Sequence, residues 1–390
     1  MKPAREMASG PNRRNESSLL IVPAPCPESE EPQLADKVAF LRNPESYPGL
    51  TGDVVTHETH MSWVFLAGTT ALKLKKPVRF PYLDFSTLAR REAACRAELR
   101  LNRRLARTVY LDVAPLLWSD RGFSIGGHGT VVDWLVVMRR LDHDRMLDRA
   151  IDEARVEGAA IDRLAEKLIR FYRSAGRPLI PAESGMAEWR RDIAINYRIL
   201  LDPRFGLPPG IIRRIDRIQR HFLEGRRKLL DGRVTGRFIV DGHGDLRPEH
   251  IWLGEHPQII DCLEFNARLR AVDPFDEIAY LSVECERLGA GWVGERIRRR
   301  LAGALHDGVP EELYRFYRCY RATLRARLAI AHLAESQPRT PEKWPRLARD
   351  YLRIAASDAE RIERLLRRPG DRPNRVHHAS GGLCPQATRP

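Results

Sequence analysis

The order in which hydrophobic periods change along the chain limits its fold more than any other feature. Period-two runs, VVTHETHMSWVFLAG, TTALKLKK, VAPLLW and VVDWLVVMRRL, fill the first part of the sequence and read as strands of a small antiparallel meander. One short helical segment, LADKVAFLRN, precedes them, and one long one, STLARREAACRAELRLNRRLA with Ser86 as the expected N-cap, interrupts them. From about residue 144 to 232 the period is helical. Strand signals return only at RFIVDGHGD and PQIIDCLEF, and the chain is helical again from Pro274 to Leu366. Strands first and helices second, with a two-strand island between helices, specify an α+β chain and not alternating βαβ units. The expectation is a small antiparallel-sheet N-lobe over residues 35–141 and a larger helical C-lobe over 142–368. The ends, 1–34 and 369–390, have no sustained apolar period and are expected as disordered tails.

Composition narrows the class. Apolar residues at 43% and charged residues at 30% are the balance of a globular chain. No run approaches the roughly 20 apolar residues of a membrane span, and the N-terminal segment leads into no export core, so the cytoplasm is the expected location. The six cysteines are scattered without metal-ligand spacing and are expected as free thiols. The net charge of +14 comes from arginine spread along the chain. Runs such as Arg298 to Arg300 lie in helical segments, where a charge run is ordinarily a solvated face, so nucleic acid is not the expected partner.

The chemistry concentrates in FIVDGHGDLRPEHIWL, a charged loop between apolar runs, where rigid flanks hold exposed groups. Asp245 occupies a glycine-bearing turn, and Glu249 and His250 follow Pro248. Further on, Asp261 opens a second turn after Ile259 and Ile260, which places two strand-end carboxylates to face one cleft. Phosphoryl transfer needs an acid to orient the accepting hydroxyl, an acid on Mg²⁺, and a lysine on the nucleotide phosphates held by a glutamate. Lys73 shares a strand face with Ala71, although Lys75 lies on the same face and Lys76 is adjacent. Ala94, Glu98, Leu101 and Leu105 share one face of the long helix, which turns Glu98 inward. Glu92 on the same helix competes with it, and fits an i, i+4 surface pair.

These segments resemble the aminoglycoside phosphotransferase group of the protein-kinase-like superfamily, which also contains choline, homoserine and fructosamine kinases. HGDLRPEHI is similar to that group's HGDLHPGNI, IIDCLEF to its second acidic strand end, and AVDPFDEIA to its GDPxxDLA. ETHMSWVFLAG, ELRLNRRLA and IIDCLEFN resemble a bacterial branch sometimes fused to a P-loop kinase; no GxxxxGK[ST] occurs in this sequence. The resemblance implies a protein-kinase-like two-lobed fold and transfer of a phosphoryl group from ATP or GTP to a hydroxyl of a small molecule. It implies Asp245 as catalytic base, with His243 and Arg247 in the same catalytic segment, and Asp261 as Mg²⁺ ligand. Lys73 corresponds to the phosphate-binding lysine and Glu98 to its partner. Val137, Met138, Arg139 and Leu141 correspond to the segment that receives adenine, and Asp273 to a structural acid.

Two departures stand out. His250 replaces the group's metal-binding asparagine, and imidazole suits Mg²⁺ less well than oxygen does; metal ligation and ordering of the loop are both open to it. The loop that covers the phosphates is ETHMS, with no glycine, which leaves Thr59, His60 and Ser62 as the available donors. The same departures motivate a second function, a non-catalytic kinase-shaped ligand-binding module. Glu284 and Glu286, on the helix after DPFDEIA, are expected as solvated carboxylates and not as an acceptor pocket. A pocket for polycationic aminoglycosides needs carboxylates, whereas this chain is basic, which favours a neutral or anionic acceptor.

Overall fold

The computed structural model describes residues 32–49, 52–334 and 340–367, with the backbone alone at 182–184. The expected tails fall outside these residues, except that the first helix already begins at Leu34. That helix, α1 (Leu34–Arg42), is followed by β1 (Val55–Glu58), β2 (Ser62–Ala67) and β3 (Thr70–Lys75). A two-stranded ribbon, β4 (Arg79–Phe80) and β5 (Leu83–Asp84), leads into α2 (Leu88–Ala106). Then come β6 (Tyr110–Ser119), β7 (Gly122–Ile125) and β8 (Thr130–Arg139). These strands form one six-stranded antiparallel sheet in the order β1-β2-β3-β8-β6-β7.

The strand period decides what each face of this sheet carries. On β3, Leu72 and Leu74 point to one side and meet Val38 and Leu41 of α1, together with Phe65 and Leu135. Ala71, Lys73 and Lys75 point to the other side, where α2 lies, and Ala71 joins Cys95, Ala106, Val136 and Met138 there. Two lysines are thereby delivered to the buried face of a helix. Ala94, Glu98, Leu101 and Leu105 of that helix are all buried, as their spacing requires. The helix starts one residue later than expected: Thr87 is the N-cap and accepts from the Arg90 amide, while the Ser86 hydroxyl donates to Asp84.

The C-lobe begins with α3 (Leu147–Asp152), α4 (Gly158–Ser174), α5 (Ala182–Leu200), α6 (Pro209–Gly225) and α7 (Arg227–Thr235). The island between helices consists of two-residue strands only: β9 (Val240–Asp241), β10 (Ile251–Trp252), β11 (Gln258–Ile259) and, after α8 (Ala267–Arg270), β12 (Ala271–Val272). The longer strands expected there do not form, because the backbone turns at Gly244, with φ +88°, after β9 and at Asp261, with φ +62°, after β11. The chain closes with α9 (Pro274–Arg287), α10 (Gly291–Leu305), α11 (Glu311–Ala331) and α12 (Lys343–Leu366).

α9 is the axis of this lobe, buried continuously from Pro274 to Cys285. A helix enclosed on all sides must find partners for its polar residues as well as its apolar ones. α11 supplies them from one face: Arg321 donates to Asp276 at 2.7 Å and Arg325 to Glu284 at 2.5 Å. Glu284 also accepts from the Tyr351 hydroxyl at 2.8 Å and is 1% exposed. The expectation of a solvated Glu284 is therefore wrong, because Arg325, which neutralises it beside Arg287 of its own helix, arrives from a helix dozens of residues away. Glu286 is half-exposed and pairs with Arg318. The result is the two-lobed α+β architecture that the resemblance implies.

The sheet lobe has its own buried charge. Asp133 on β8, 1% exposed, accepts from Lys37 of α1 at 2.9 Å and from Arg91 of α2 at 2.8 Å, and so pins both helices to the sheet. Removing one member of a buried ion network leaves the others in low dielectric without it. Asp133→Asn is expected to destabilise the protein by about 3 kcal/mol in urea unfolding, whereas Asp120→Asn in the exposed β6–β7 turn is expected to stay within about 0.5 kcal/mol of the parent.

Candidate active site

The site lies where the α2 face of β3 meets the turns of the two-residue strands. Lys73 reaches across this junction, its ammonium 2.8 Å from Glu98 Oε1 and 2.8 Å from Asp261 Oδ1. Burial opposes its charge, but Asp261, then Glu98 and Glu264, outweigh burial and hold Lys73 well above the usual lysine range. For Asp261 the balance is similar: burial favours the neutral acid, and Lys73 foremost overcomes it, leaving the carboxyl far below the usual range. Asp261 has a positive φ of 62°, a region open to aspartate at modest strain, and this turn swings its carboxylate off β11 toward Lys73. Its amide is held by the Tyr110 hydroxyl oxygen at 3.1 Å.

Lys75, the alternative to Lys73, is not an exposed strand lysine. It is 1% exposed and donates to the second oxygen of Glu98 at 2.6 Å and to Glu264. Glu92, the alternative to Glu98, is a surface residue paired with Arg96 at i, i+4. Between the two lysines Glu98 is fully buried and ionised: burial opposes its charge, but Lys73, then Lys75, outweigh it and keep the carboxyl below the usual range.

Asp245 stands in the adjoining turn. Its carboxylate accepts from Arg247 at 3.0 Å and from the Tyr280 hydroxyl of α9 at 3.1 Å. Burial pushes it toward the neutral form, and Arg247 foremost overrides burial, so it remains a carboxylate below the usual range. Arg247 also donates to Glu249 at 2.6 Å. His250 bridges the two acids. Its Nδ1 is 2.9 Å from the Asp245 carbonyl, and its Nε2 is 3.2 Å from an Arg247 guanidinium nitrogen and 3.5 Å from Asp261 Oδ2. A carbonyl can only accept and a guanidinium can only donate, so Nδ1 carries the proton and Nε2 presents its lone pair. Both ring nitrogens are thus engaged in ordering the loop.

The loop is carried from below by Glu277. Its carboxylate accepts from the His243 amide at 3.0 Å, from the Gly244 amide, and from the Tyr172 hydroxyl at 2.7 Å. Gly244 has φ +88°, and an added Cβ would meet Leu263, Leu269 and Arg270 between 3.0 and 3.2 Å, so glycine is required there. His243 is fully buried, its Nε2 2.8 Å from the Ile260 carbonyl. Asp273, the expected structural acid, caps α9 through the Phe275 amide at 2.9 Å and binds Arg233, leaving the support of the loop to Glu277.

Among the expected adenine residues, Met138 is buried beside Ala71, with Leu141 and Ile260 packed against them in one apolar cluster. Arg139 is exposed and its amide donates to the Val109 carbonyl. The glycine-free turn between β1 and β2 closes on itself: the Thr59 hydroxyl accepts from the Ser62 amide at 2.9 Å, and the Thr59 amide donates to the Ser62 carbonyl at 2.9 Å. Its tip residue, His60, lies 5.3 Å ring to ring from His332 just beyond α11, and His332 stacks on Trp344 at 3.9 Å.

Several residues that build the site carried no sequence signal. Arg104 donates to the carbonyls of Asp241 and Gly242, at 2.8 and 2.9 Å, and Asn102 Oδ1 accepts from the Cys262 amide at 2.8 Å. Glu264 lay inside IIDCLEF and Glu277 inside AVDPFDEIA, and their motif positions were the available clue. Among the described residues, no three His, Cys, Asp or Glu side chains converge into a preformed cation cage. Asp261 nevertheless offers one carboxylate oxygen on a side chain 45% exposed to the cleft, a donor of the oxygen type that Mg²⁺ takes.

No protein-family model matches the chain. It is 37% identical over 288 residues to uncharacterised proteins of Mycobacterium tuberculosis (strain ATCC 25618 / H37Rv) and Mycobacterium bovis (strain ATCC BAA-935 / AF2122/97), covering 72% of this chain and 55% of each relative. The chain therefore spans about half the length of the curated relatives it matches. Among solved structures it is similar to a choline/ethanolamine kinase family protein from Mesorhizobium loti, with TM-score 0.47, 17% identity, and 86% of this chain and 96% of that chain covered. It is similar also to an aminoglycoside-3'-phosphotransferase of type VIII, with TM-score 0.40, 16% identity, and coverages of 74% and 98%. A choline kinase from Cryptosporidium parvum gives TM-score 0.47 at 10% identity, with coverages of 84% and 96%.

The buried state of His243 has a measurable consequence. Burial, chiefly, lowers its pKa from 6.5 to about 4. In the unfolded chain the ring takes a proton near 6.5, in the native state only near 4, so stability is lost as pH falls through this window. The loss from this group is about 3 kcal/mol at pH 4. Its ring resonances are expected to remain those of neutral imidazole at pH 5; titration near 6.5 in the native protein would contradict the burial.

Proposed function

We propose that the chain is a phosphotransferase of the kinase-like, aminoglycoside phosphotransferase group, which moves the γ-phosphate of ATP or GTP to a hydroxyl of a small molecule. The observation that carries this reading is the Lys73 ammonium set 2.8 Å from both Glu98 and Asp261, residues far apart in sequence, with Asp245 in the turn beside them. An ammonium has three N–H donors, and two of Lys73's are used here, which leaves one for a phosphate oxygen. Ala71, Met138, Leu141 and Ile260 supply an apolar bed for a base at the end of β8. Asp261 would hold Mg²⁺, which would supply charge neutralisation on the transferring phosphates.

Asp245 acts on the acceptor. Its carboxyl is held ionised by Arg247, so it orients an incoming hydroxyl as a hydrogen-bond acceptor and receives the proton as the new O–P bond forms, while the bond from the γ-phosphorus to the bridging oxygen breaks and the nucleoside diphosphate leaves with that electron pair. The Tyr280 hydroxyl fixes one carboxylate oxygen and Arg247 the other. His250 orders this turn in our reading and leaves metal binding to Asp261. Arg247, Arg287 and Arg325 lie on the acceptor side of α9, each already matched to a carboxylate, so the basic total charge of the chain does not by itself make an anionic pocket.

The self-closed β1–β2 turn is the observation on the side of a non-catalytic binding module. Nucleotide consumption by the purified protein with Mg²⁺, across sugars, amino alcohols and aminoglycosides, separates the two. With an accepted substrate, Asp245→Asn and Asp261→Ala are each expected to lower turnover by at least about a hundredfold. Parental turnover in either variant would refute the assignment, and a parent without Mg²⁺-dependent nucleotide binding at millimolar concentration would leave the binding module.

A further inference from the structure

Lys75 has no part in the transfer just described, yet it is the more deeply buried of the two β3 lysines, its side chain 1% exposed against 13% for Lys73. Its ammonium donates to Glu98 Oε2 at 2.6 Å and to Glu264, and lies 4.8 Å from the centre of the Phe85 ring. Glu264, three residues beyond Asp261, is itself buried. Glu98 therefore carries one cation on each oxygen, Lys73 on Oε1 and Lys75 on Oε2. The two lysines differ in what surrounds them. Lys73 faces the cleft and Asp261, whereas Lys75 is enclosed by Glu98, Glu264 and Phe85.

A ligand phosphate draws on one of these cations only. When the Lys73 ammonium shares itself with phosphate oxygens, its hold on Glu98 weakens, and Glu98, fully buried, has no water to replace it. With a single lysine, part of the phosphate's binding energy is then spent against a buried carboxylate left short of counter-charge. With Lys75 fixed on the other oxygen, Glu98 stays neutralised and α2 stays seated on the sheet. Glu264 completes the arrangement by anchoring Lys75 to the turn that carries Asp261, so that strand, helix and turn keep their spacing while Lys73 shares its charge with a phosphate.

We propose that Lys75 and Glu264 are positioning residues, a fixed ion pair that holds Glu98 and α2 in place while Lys73 engages a nucleotide phosphate. The inference rests on the phosphotransferase reading above. It is tested by a double-mutant cycle on the full chain, with calorimetric titration of an imido-bridged, non-hydrolysable ATP or GTP analogue in Mg²⁺. Lys75→Met is expected to weaken analogue binding by about tenfold, although Lys75 does not touch the nucleotide. In the Glu98→Gln background, where position 98 carries no charge for Lys75 to neutralise, the same change is expected to cost less than about twofold. The charge-balanced double variant Lys75→Met with Glu264→Gln guards against misfolding and is expected to show the tenfold loss as well. Equal costs in the two backgrounds, or parental affinity in the charge-balanced variant, would overturn the inference while leaving the phosphotransferase reading intact. A parent protein with no affinity for the analogue overturns that reading and this inference with it.

Discussion

Glu98 is the residue on which the rest of the site depends. A carboxylate without solvent contact in a sheet–helix interface is tolerated only if cations saturate it, and both must come from the strand that packs against its helix. That requirement fixes the register of α2 on β3, because only one placement of the helix brings Glu98 between two lysines on the same strand face. It also fixes the turn after β11, since Lys73 and Lys75 each pass on to a carboxylate there, Asp261 and Glu264. Strand, helix and turn are thus set by one shared anion.

The same helix is tied to the other lobe through its last turns. Arg104 spans the carbonyls of Asp241 and Gly242, and Asn102 holds the Cys262 amide while donating to the Glu98 carbonyl. α2 is chemically part of both lobes. Beneath the His243–His250 segment, Glu277 plays the complementary role from α9, gathering the His243 and Gly244 amides. The loop that bears Asp245 is therefore held from α9 by one buried glutamate, and its His243 and Gly244 amides are satisfied by that side chain instead of by a longer sheet.

Much of this was legible in the sequence, and for definite reasons. Period-two alternation in TTALKLKK put both lysines on one face, and the i, i+4, i+7 spacing of Ala94, Glu98 and Leu101 turned the glutamate toward them; such patterns encode direction, and direction survived folding. The ordered acidic turns located Asp245 and Asp261. What the sequence withheld were long-range partners. Nothing local marks Arg104 as a clamp, and Glu284 read as a surface residue because Arg325 and Tyr351, which enclose it, belong to helices far along the chain. Of the two-residue strands around the site, β12 escaped, because a strand held by its neighbours needs no propensity of its own. Lys75 was visible as a rival to Lys73, yet its burial was not, since an alternating strand shows which face a residue takes but not how deeply that face is covered.

The glycine-free turn between β1 and β2 closes through its own Thr59 hydroxyl, with its tip against the helical lobe. A glycine-rich cover samples many backbone states and must surrender them each time it settles on a ligand. Here most of that conformational freedom was given up when the chain folded. In the phosphotransferase reading proposed above, this turn would stand as a fixed wall over the phosphates, and a ligand would be selected by shape before it is gripped. Such a site trades tolerance of varied ligands for a smaller entropic penalty on each one it admits.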